Sequence, residues 1–183
     1  GRRRRPRQRS RAVSWPSGRQ LDGGIDRIAL PVDVDGALFL CGKHVVGPDP
    51  EAVRAQLGAG AIVVSFNQPR DIARYDGYAE WLGSSPDARW MPVPDFHAPS
   101  LDDALPLLDD VAGLLRAGRP VIMHCSAGIG RAGTMAVAVL MVLGMSWSDA
   151  LAQVASDRRG AGPEVGSQSE LIQSLAGFLA ADR

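Results

Sequence analysis

Apolar residues recur along the chain in short continuous runs and in longer segments where they repeat every three to four positions. Short runs rich in Val, Ile and Leu are typical of buried strands, and the longer repeat is typical of amphipathic helices. The pattern predicts a hairpin over 26–41 that turns at Asp35-Gly36, strands at 61–66, 89–93 and 120–125, and helices at 50–57, 74–82, 101–115, 134–143, 146–157 and 167–180. Because strands that alternate with helices pair mainly in parallel, we expect an α/β three-layer sandwich, with helices flanking a central, largely parallel sheet.

One segment joins a predicted strand to a predicted helix through small residues, one cysteine and one arginine: His124-Cys125-Ser126-Ala127-Gly128-Ile129-Gly130-Arg131. The unpaired N–H groups and the positive end of a helix dipole stabilise an anion and lower the pKa of a nearby thiol. We therefore predict a phosphate-ester site in which Cys125 is the nucleophile and the guanidinium of Arg131 binds two phosphate oxygens. The loop would hold the phosphate through the backbone N–H groups of Ser126, Ala127, Gly128, Ile129, Gly130 and Arg131.

Two other interpretations of this segment stay open at the level of the local pattern. Residues 128–133 satisfy the G-x-G-x-x-G pattern of dinucleotide-binding loops, and Asp149 lies about 20 residues further on, where that fingerprint needs an acid. Against it, no strand is predicted after 125, and Asp149 begins a helix instead of ending a strand. The second alternative makes Cys125 an ordinary buried cysteine.

The pattern H-C-x5-R at 124–131 resembles the signature of the cysteine-dependent protein tyrosine phosphatase superfamily. Upstream, Val93-Pro94-Asp95-Phe96-His97-Ala98-Pro99 is similar to the acid-bearing loop of the small atypical dual-specificity phosphatases within that superfamily. Residues 37–42 and 61–66 resemble two of their strands, and 166–171 resembles the late segment that usually carries a glutamine. The resemblance covers nearly the whole chain after its first residues.

The resemblance implies a phosphate monoester hydrolase that works through a phosphocysteine on Cys125. Arg131 would hold the phosphate, and Asp95 would protonate the leaving group and then deprotonate the attacking water. His124, Thr134 and Gln168 are assigned supporting roles, and Arg158 and Arg159 are expected to border the pocket. No cofactor or metal is expected, because the histidines and cysteines show no ligand spacing.

Few basic residues surround the predicted site, so phosphotyrosine proteins and small aryl phosphates rank first as partners, with phosphoserine and phosphothreonine left open. Two alternatives remain: a non-catalytic phosphate-binding pseudophosphatase, and a phosphatase acting on phosphoinositides or RNA 5′ phosphates. The chain also departs from the family at one position. Ala132 replaces the serine or threonine that supports the leaving thiolate, so we expect slow breakdown of the phosphocysteine unless Ser126 or water supplies the hydroxyl.

Two further side chains receive a structural prediction with a functional alternative. On a strand, His124 points away from the face that Cys125 occupies, which favours an orienting role over proton transfer. Cys41 is the second of two cysteines. A reversible disulfide with Cys125 is one hypothesis, and packing at a strand end is the preferred one.

Charge is distributed unevenly, although the net charge is zero. Seven arginines lie in the first eleven residues, which contain no acid, and the remainder carries 13 basic against 20 acidic residues. We expect a disordered arginine-rich tail over 1–20 and a single catalytic domain over 21–183. The tail suggests contact with nucleic acid or an anionic membrane, and a non-functional extension is the alternative. Low cysteine content and no signal-like apolar start favour the cytoplasm.

Overall fold

The computed structural model of the protein describes residues 24–182, so the predicted tail lies outside the described residues. Five strands form one sheet in the order β1-β2-β5-β3-β4. The first strand is antiparallel to the second, and the other neighbours are parallel, as the alternation of strands and helices predicts. The strands are β1 (Asp26–Ile28), β2 (Ala37–Gly42), β3 (Ile62–Ser65), β4 (Ala88–Trp90) and β5 (Pro120–Cys125).

Eight helices flank the sheet in the described part of the chain, and the predicted α/β class is confirmed. They are α1 (Lys43–Val46), α2 (Pro50–Leu57), α3 (Pro69–Ile72), α4 (Tyr78–Ser84), α5 (Leu101–Arg116), α6 (Arg131–Val142), α7 (Trp147–Asp157) and α8 (Ser167–Ala181). Helices α2, α5, α6, α7 and α8 lie where the apolar period predicts them. None of the described helices is long and apolar enough to cross a membrane.

Two local predictions are wrong and two short helices were not predicted, each for a physical reason. The helix predicted over 74–82 begins only at Tyr78, as α4, because Gly77 adopts a left-handed φ of 76° at its N-cap and residues 73–77 form turns. The turn between β1 and β2 lies at Pro31–Val34, where Val34 N donates to Pro31 O. Gly36 packs instead against the end of α5, where a Cβ would come within 2.5 Å of Leu115 O. Helices α1 and α3 are too short to show a period in the sequence.

Alternation along β2 and β5 distributes the core over two faces of the sheet. Leu38 and Leu40 face the layer formed by α5 to α8, whereas Phe39 and Cys41 face the layer formed by α1 to α4. Cys125 belongs to the first layer, so the two cysteines point to opposite faces, and both are free thiols. Because bridging requires the Cβ vectors to converge, this geometry favours the packed strand-end role for Cys41.

Candidate active site

The central strand β5 delivers Cys125 to the C-terminal edge of the sheet, and α6 begins six residues later at Arg131. We call residues 126–130 the Cys loop. None of the backbone N–H groups of residues 126–131 donates a hydrogen bond to another described residue. These free donors, at the start of a twelve-residue helix, form the kind of concave nest that binds anions. The predicted phosphate ligands are therefore brought together in one loop.

Glycine is required within the Cys loop, because its backbone crosses β2 closely. Gly128 adopts φ 71°, and a Cβ at this position would lie 2.2 Å from the carbonyl oxygen of Cys41. A side chain here would push the loop off the strand. The glycines at 128, 130 and 133 thus serve close packing, and Asp149 lies in the first turn of α7, where its N–H is capped by Ser146. This arrangement does not support the dinucleotide-binding alternative.

Arg158 fixes the outer side of the Cys loop and does not border the pocket as predicted. Its side chain is fully buried and forms an ion pair of 2.8 Å with Asp26 at the start of β1. Its guanidinium also donates to the carbonyl oxygens of Ala127 at 2.8 Å and Gly128 at 2.9 Å. Because these carbonyls are bound outside, the loop N–H groups are left for a ligand. Arg159 is exposed.

Arg131 is buried and anchored through one edge of its guanidinium. Nη1 donates to Asp71 Oδ2 at 3.0 Å and to Val93 O at 2.9 Å, and Nη2 donates to Ser126 Oγ at 3.1 Å. Nε is buried without a hydrogen-bond partner among the described residues, and Asp95 Oδ1 lies 3.6 Å from it. An unbonded buried N–H next to a nest of free amides is a donor available to a phosphate oxygen.

Asp71 is the anchor of Arg131 that sequence reasoning missed. It lies on α3, directly after β3, and its carboxylate also accepts from Gln68 N at 2.9 Å and from Asn67 Nδ2 at 3.4 Å. Burial alone would raise the pKa of Asp71, but the hydrogen bonds from Arg131, Gln68 and Asn67 hold it below the usual value. The available signal is positional: a polar N-Q-P-x-D segment follows a predicted strand, at the same edge as the Cys loop.

The predicted acid, Asp95, lies on the segment between β4 and α5, which we call the acid loop (residues 91–100). Its side chain is 61% exposed, close to Arg131. Phe96 adopts a left-handed φ of 63°, stabilised by a hydrogen bond of 3.0 Å from its N–H to Asp95 Oδ1, and its ring is 65% exposed. His97 Nδ1 donates to Asp95 O at 2.8 Å. A bulky residue in this conformation is unusual and is typical of functional turns.

Thr134 and Gln168 contact each other and do not contact Cys125 by hydrogen bonds. Thr134 Oγ1 lies 2.6 Å from Gly130 O and 3.2 Å from Gln168 Oε1. Ala132 is fully buried, and Ser126 Oγ accepts from Arg131 and from Asn67 Nδ2 at 3.1 Å. Both bonds use Ser126 as an acceptor, so its O–H remains available to donate. Thr134 therefore does not replace the hydroxyl that Ala132 lacks.

His124 is fully buried on the face opposite Cys125, in contact with α4. Its Nδ1 lies 3.4 Å from the carbonyl oxygen of Cys125 and must donate, so Nε2 accepts from the hydroxyl of Tyr78. Burial lowers the pKa of His124 to about 4, and the charge of Arg131 adds to that effect. A neutral imidazole held at both nitrogens is suited to orienting the end of β5.

Comparison with known proteins gives one family match and many structural likenesses. The profile of a family described as "Polymorphic toxin system, DSP-PTPase phosphatase" matches residues 63–145, which include β3, the acid loop, β5, the Cys loop and α6. No curated protein sequence matches the chain.

Solved structures of small phosphatases superpose on this chain over nearly the whole of their own length. The active form of Tk-PTP is 26% identical, with a TM-score of 0.63 over 83% of this chain and 97% of that one. Kinase associated phosphatase (19% identity, TM-score 0.69, 89% and 99% covered) and human DUSP28 (22%, 0.58, 85% and 95%) share the fold. A dual-specificity-type fold supports phosphatase activity. The chain thus fits the cysteine-dependent protein tyrosine phosphatase superfamily, and within it resembles the small dual-specificity phosphatases.

Proposed function

We propose that the protein hydrolyses phosphate monoesters through a phosphocysteine on Cys125. The thiolate attacks phosphorus in line and the P–O bond to the leaving group breaks. Asp95 gives its proton to the departing oxygen and then takes one from the water that cleaves the phosphocysteine. Arg131 and the Cys-loop N–H groups bind the equatorial oxygens, where the transition state carries negative charge.

The observation that carries this proposal is the divided use of the Arg131 guanidinium. Nη1 is held by Asp71 and Val93, while the buried Nε has no hydrogen-bond partner among residues 24–182. A purely structural arginine would have its donors satisfied by protein, as those of Arg158 are. The unused donor of Arg131 lies at the site where the loop amides are also unused. Both therefore support an oxyanion ligand.

Phosphotyrosine and other aryl phosphates are the substrates we propose, with phosphoserine and phosphothreonine as slower substrates. Phe96 exposes its ring next to Asp95, where it can contact an aromatic leaving group. Phosphoinositides and RNA 5′ ends carry further charges, which usually require several cations around the pocket. Arg158 is committed to the interior, and the amine of Lys43 donates to Asp71 O at 2.8 Å. Both basic side chains are thus already bonded within the protein, which favours a singly phosphorylated group as substrate.

Hydrolysis of phenyl phosphate by the wild type, Cys125→Ser and Asp95→Asn tests the proposal. We expect no turnover with Cys125→Ser, and a loss of about 10²- to 10⁴-fold with Asp95→Asn, the usual contribution of a general acid. Cys41→Ala and Asp102→Asn are the matched controls and should retain activity. A wild type that binds phosphotyrosine peptide without hydrolysing it would instead identify a pseudophosphatase.

Action as a toxin is a second candidate, favoured by the description of the family that matches residues 63–145. If the phosphatase acts on host proteins, expression of the wild type in a bacterial host should slow growth, and Cys125→Ser should not. Equal growth with both chains at equal expression would contradict action as a toxin. It would not contradict the proposed phosphatase reaction.

A further inference from the structure

Gln168 connects three parts of the site through a fully buried side-chain amide. It lies in the first turn of α8, and its exposed fraction is 0%. Oε1 accepts from Glu164 N at 2.8 Å and lies 3.2 Å from Thr134 Oγ1, and Nε2 donates to His97 O at 3.2 Å. A buried amide with both ends bonded is costly to disturb, because each lost partner leaves a desolvated polar group.

These contacts do not fit a residue that orients the attacking water. Such an amide needs a free acceptor facing the phosphorus, whereas both bonds to Oε1 come from the protein. The amide does lie against the Cys loop, since a Cβ on Gly130 would be 3.3 Å from Nε2 and 3.5 Å from Oε1. Gln168 is therefore placed to transmit position between loops and not to contact the reacting water.

The acid loop is attached to the Cys-loop side on both flanks of Asp95. Two residues before it, Val93 O accepts from Arg131 at the start of α6. Two residues after it, His97 O accepts from Gln168, which contacts Thr134 one turn further along α6. The side chain of Asp95 is exposed, and among the described residues its Oδ1 contacts only the N–H of Phe96 at 3.0 Å and Nε of Arg131 at 3.6 Å. Its distance from Cys125 thus depends on the attachments at 93, 97 and 98.

We infer that Gln168 is a positioning residue for proton transfer, which holds the acid loop so that Asp95 reaches the leaving group. The inference rests on the proposed function and concerns its first step. If the bond from Gln168 to His97 O is lost, the loop remains attached at Val93 and, through Ala98 N and Ser167 Oγ at 3.1 Å, at the start of α8, but the segment that carries Asp95 is held less firmly against the leaving oxygen. Catalysis then loses the acid while the thiolate, the arginine and the phosphate nest are retained.

Leaving groups of different basicity distinguish this role from others. A p-nitrophenolate departs without protonation, whereas phenolate and the phenolate of phosphotyrosine need an acid. We expect Gln168→Met to reduce kcat/KM for phenyl phosphate about 10- to 100-fold and to change that for p-nitrophenyl phosphate less than about threefold. Gln168→Glu keeps an acceptor for Glu164 N but removes the donor to His97, and should behave similarly.

The controls and the contrary outcomes are well defined. Gln173→Met changes an exposed glutamine on the same helix and should leave both substrates unaffected. Equal losses on both substrates, or a slower second step in rapid-quench measurements, would overturn the inference, because they indicate a structural or water-orienting role. If Asp95→Asn loses more activity on phenyl phosphate than on p-nitrophenyl phosphate and Gln168→Met does not, the inference about Gln168 fails and the proposed function stands. If the wild type cleaves neither substrate, the proposed function fails.

Discussion

Two buried arginines serve the same loop in opposite ways at the scale of single residues. Arg158 directs its donors to the loop carbonyls and to Asp26, so it fixes the outside of the Cys loop. Arg131 is anchored at one edge and keeps a buried donor facing inward. The chemistry of a guanidinium is the same in both cases. Its role is decided by which neighbours satisfy its N–H groups, and sequence does not show those neighbours.

Restoring a hydroxyl at position 132 should accelerate the second step. Ala132→Ser places a donor near the sulfur that departs when the phosphocysteine is cleaved. We expect steady-state turnover to rise about tenfold, the worth of one hydrogen bond to a charged group. Rapid-quench measurements should show a burst in the wild type that becomes smaller in the variant. Ala136→Ser, at another fully buried position of α6, is the control. A wild type with no burst would show that Ser126 or water already replaces the hydroxyl.

At the scale of elements, the site is the meeting point of one strand end, one helix start and two loops. The Cys loop can approach the ligand with its amides because β2 passes directly behind it, in contact with Gly128. The strand is thus the rigid support against which the nest is shaped. A change in the separation of the loop and β2 would alter all the free N–H groups together.

A matched pair of glycine substitutions tests this support. Gly128 and Gly77 have φ values of 71° and 76°, so alanine is strained equally at both. At Gly77 a Cβ meets nothing within 4 Å, whereas at Gly128 it would overlap the carbonyl of Cys41. We expect Gly77→Ala to retain phenyl phosphate activity, and Gly128→Ala to lose about 100-fold or more in kcat/KM through a displaced nest. Similar activities for the two variants would show that the loop tolerates displacement.

The periodic elements and the Cys loop were predictable because both depend on local sequence. Runs of apolar residues predict the buried strands, and an apolar repeat of three to four positions predicts the long amphipathic helices. A cysteine and an arginine six positions apart define one loop. Asp71, Arg158 and the amide contacts of Gln168 were not predictable, since each joins segments far apart in the chain. Even the start of α4 at Tyr78, and not at residue 74, depended on a glycine conformation at position 77, which an apolar period cannot reveal.

At the scale of the whole molecule, His124 links the central strand of the sheet to the helical layer formed by α1 to α4. It lies on β5 beneath the Cys loop and accepts a hydrogen bond from Tyr78 on α4. Because burial keeps its imidazole neutral, the folded protein does not take up a proton where the unfolded chain does. Stability is therefore coupled to pH through the strand that carries the nucleophile.

The free energy of unfolding should fall as the pH is lowered from about 6.5 to about 4. Within this window the unfolded chain protonates His124 and the folded protein does not, which costs about 3 kcal/mol once pH 4 is reached. Urea denaturation at several pH values measures this change in the free energy of unfolding. His124→Gln should flatten the slope over this range, whereas His97→Gln, at an exposed position, should retain it. The lowered pKa of Asp71 acts in the same direction, but at more acidic pH.

The strand order also sets when the site comes into existence during synthesis. Leu38 on β2 is opposite Val121 on β5, and Ile62 on β3 is opposite the same residue. The first four strands therefore cannot close into one sheet until β5 has left the ribosome and entered between β2 and β3. Such non-local pairing slows folding and leaves apolar strand edges exposed to aggregation while it is incomplete. Cys125 lies on β5, the last strand to enter the sheet. A nascent chain should therefore have no phosphatase activity until the sheet is complete.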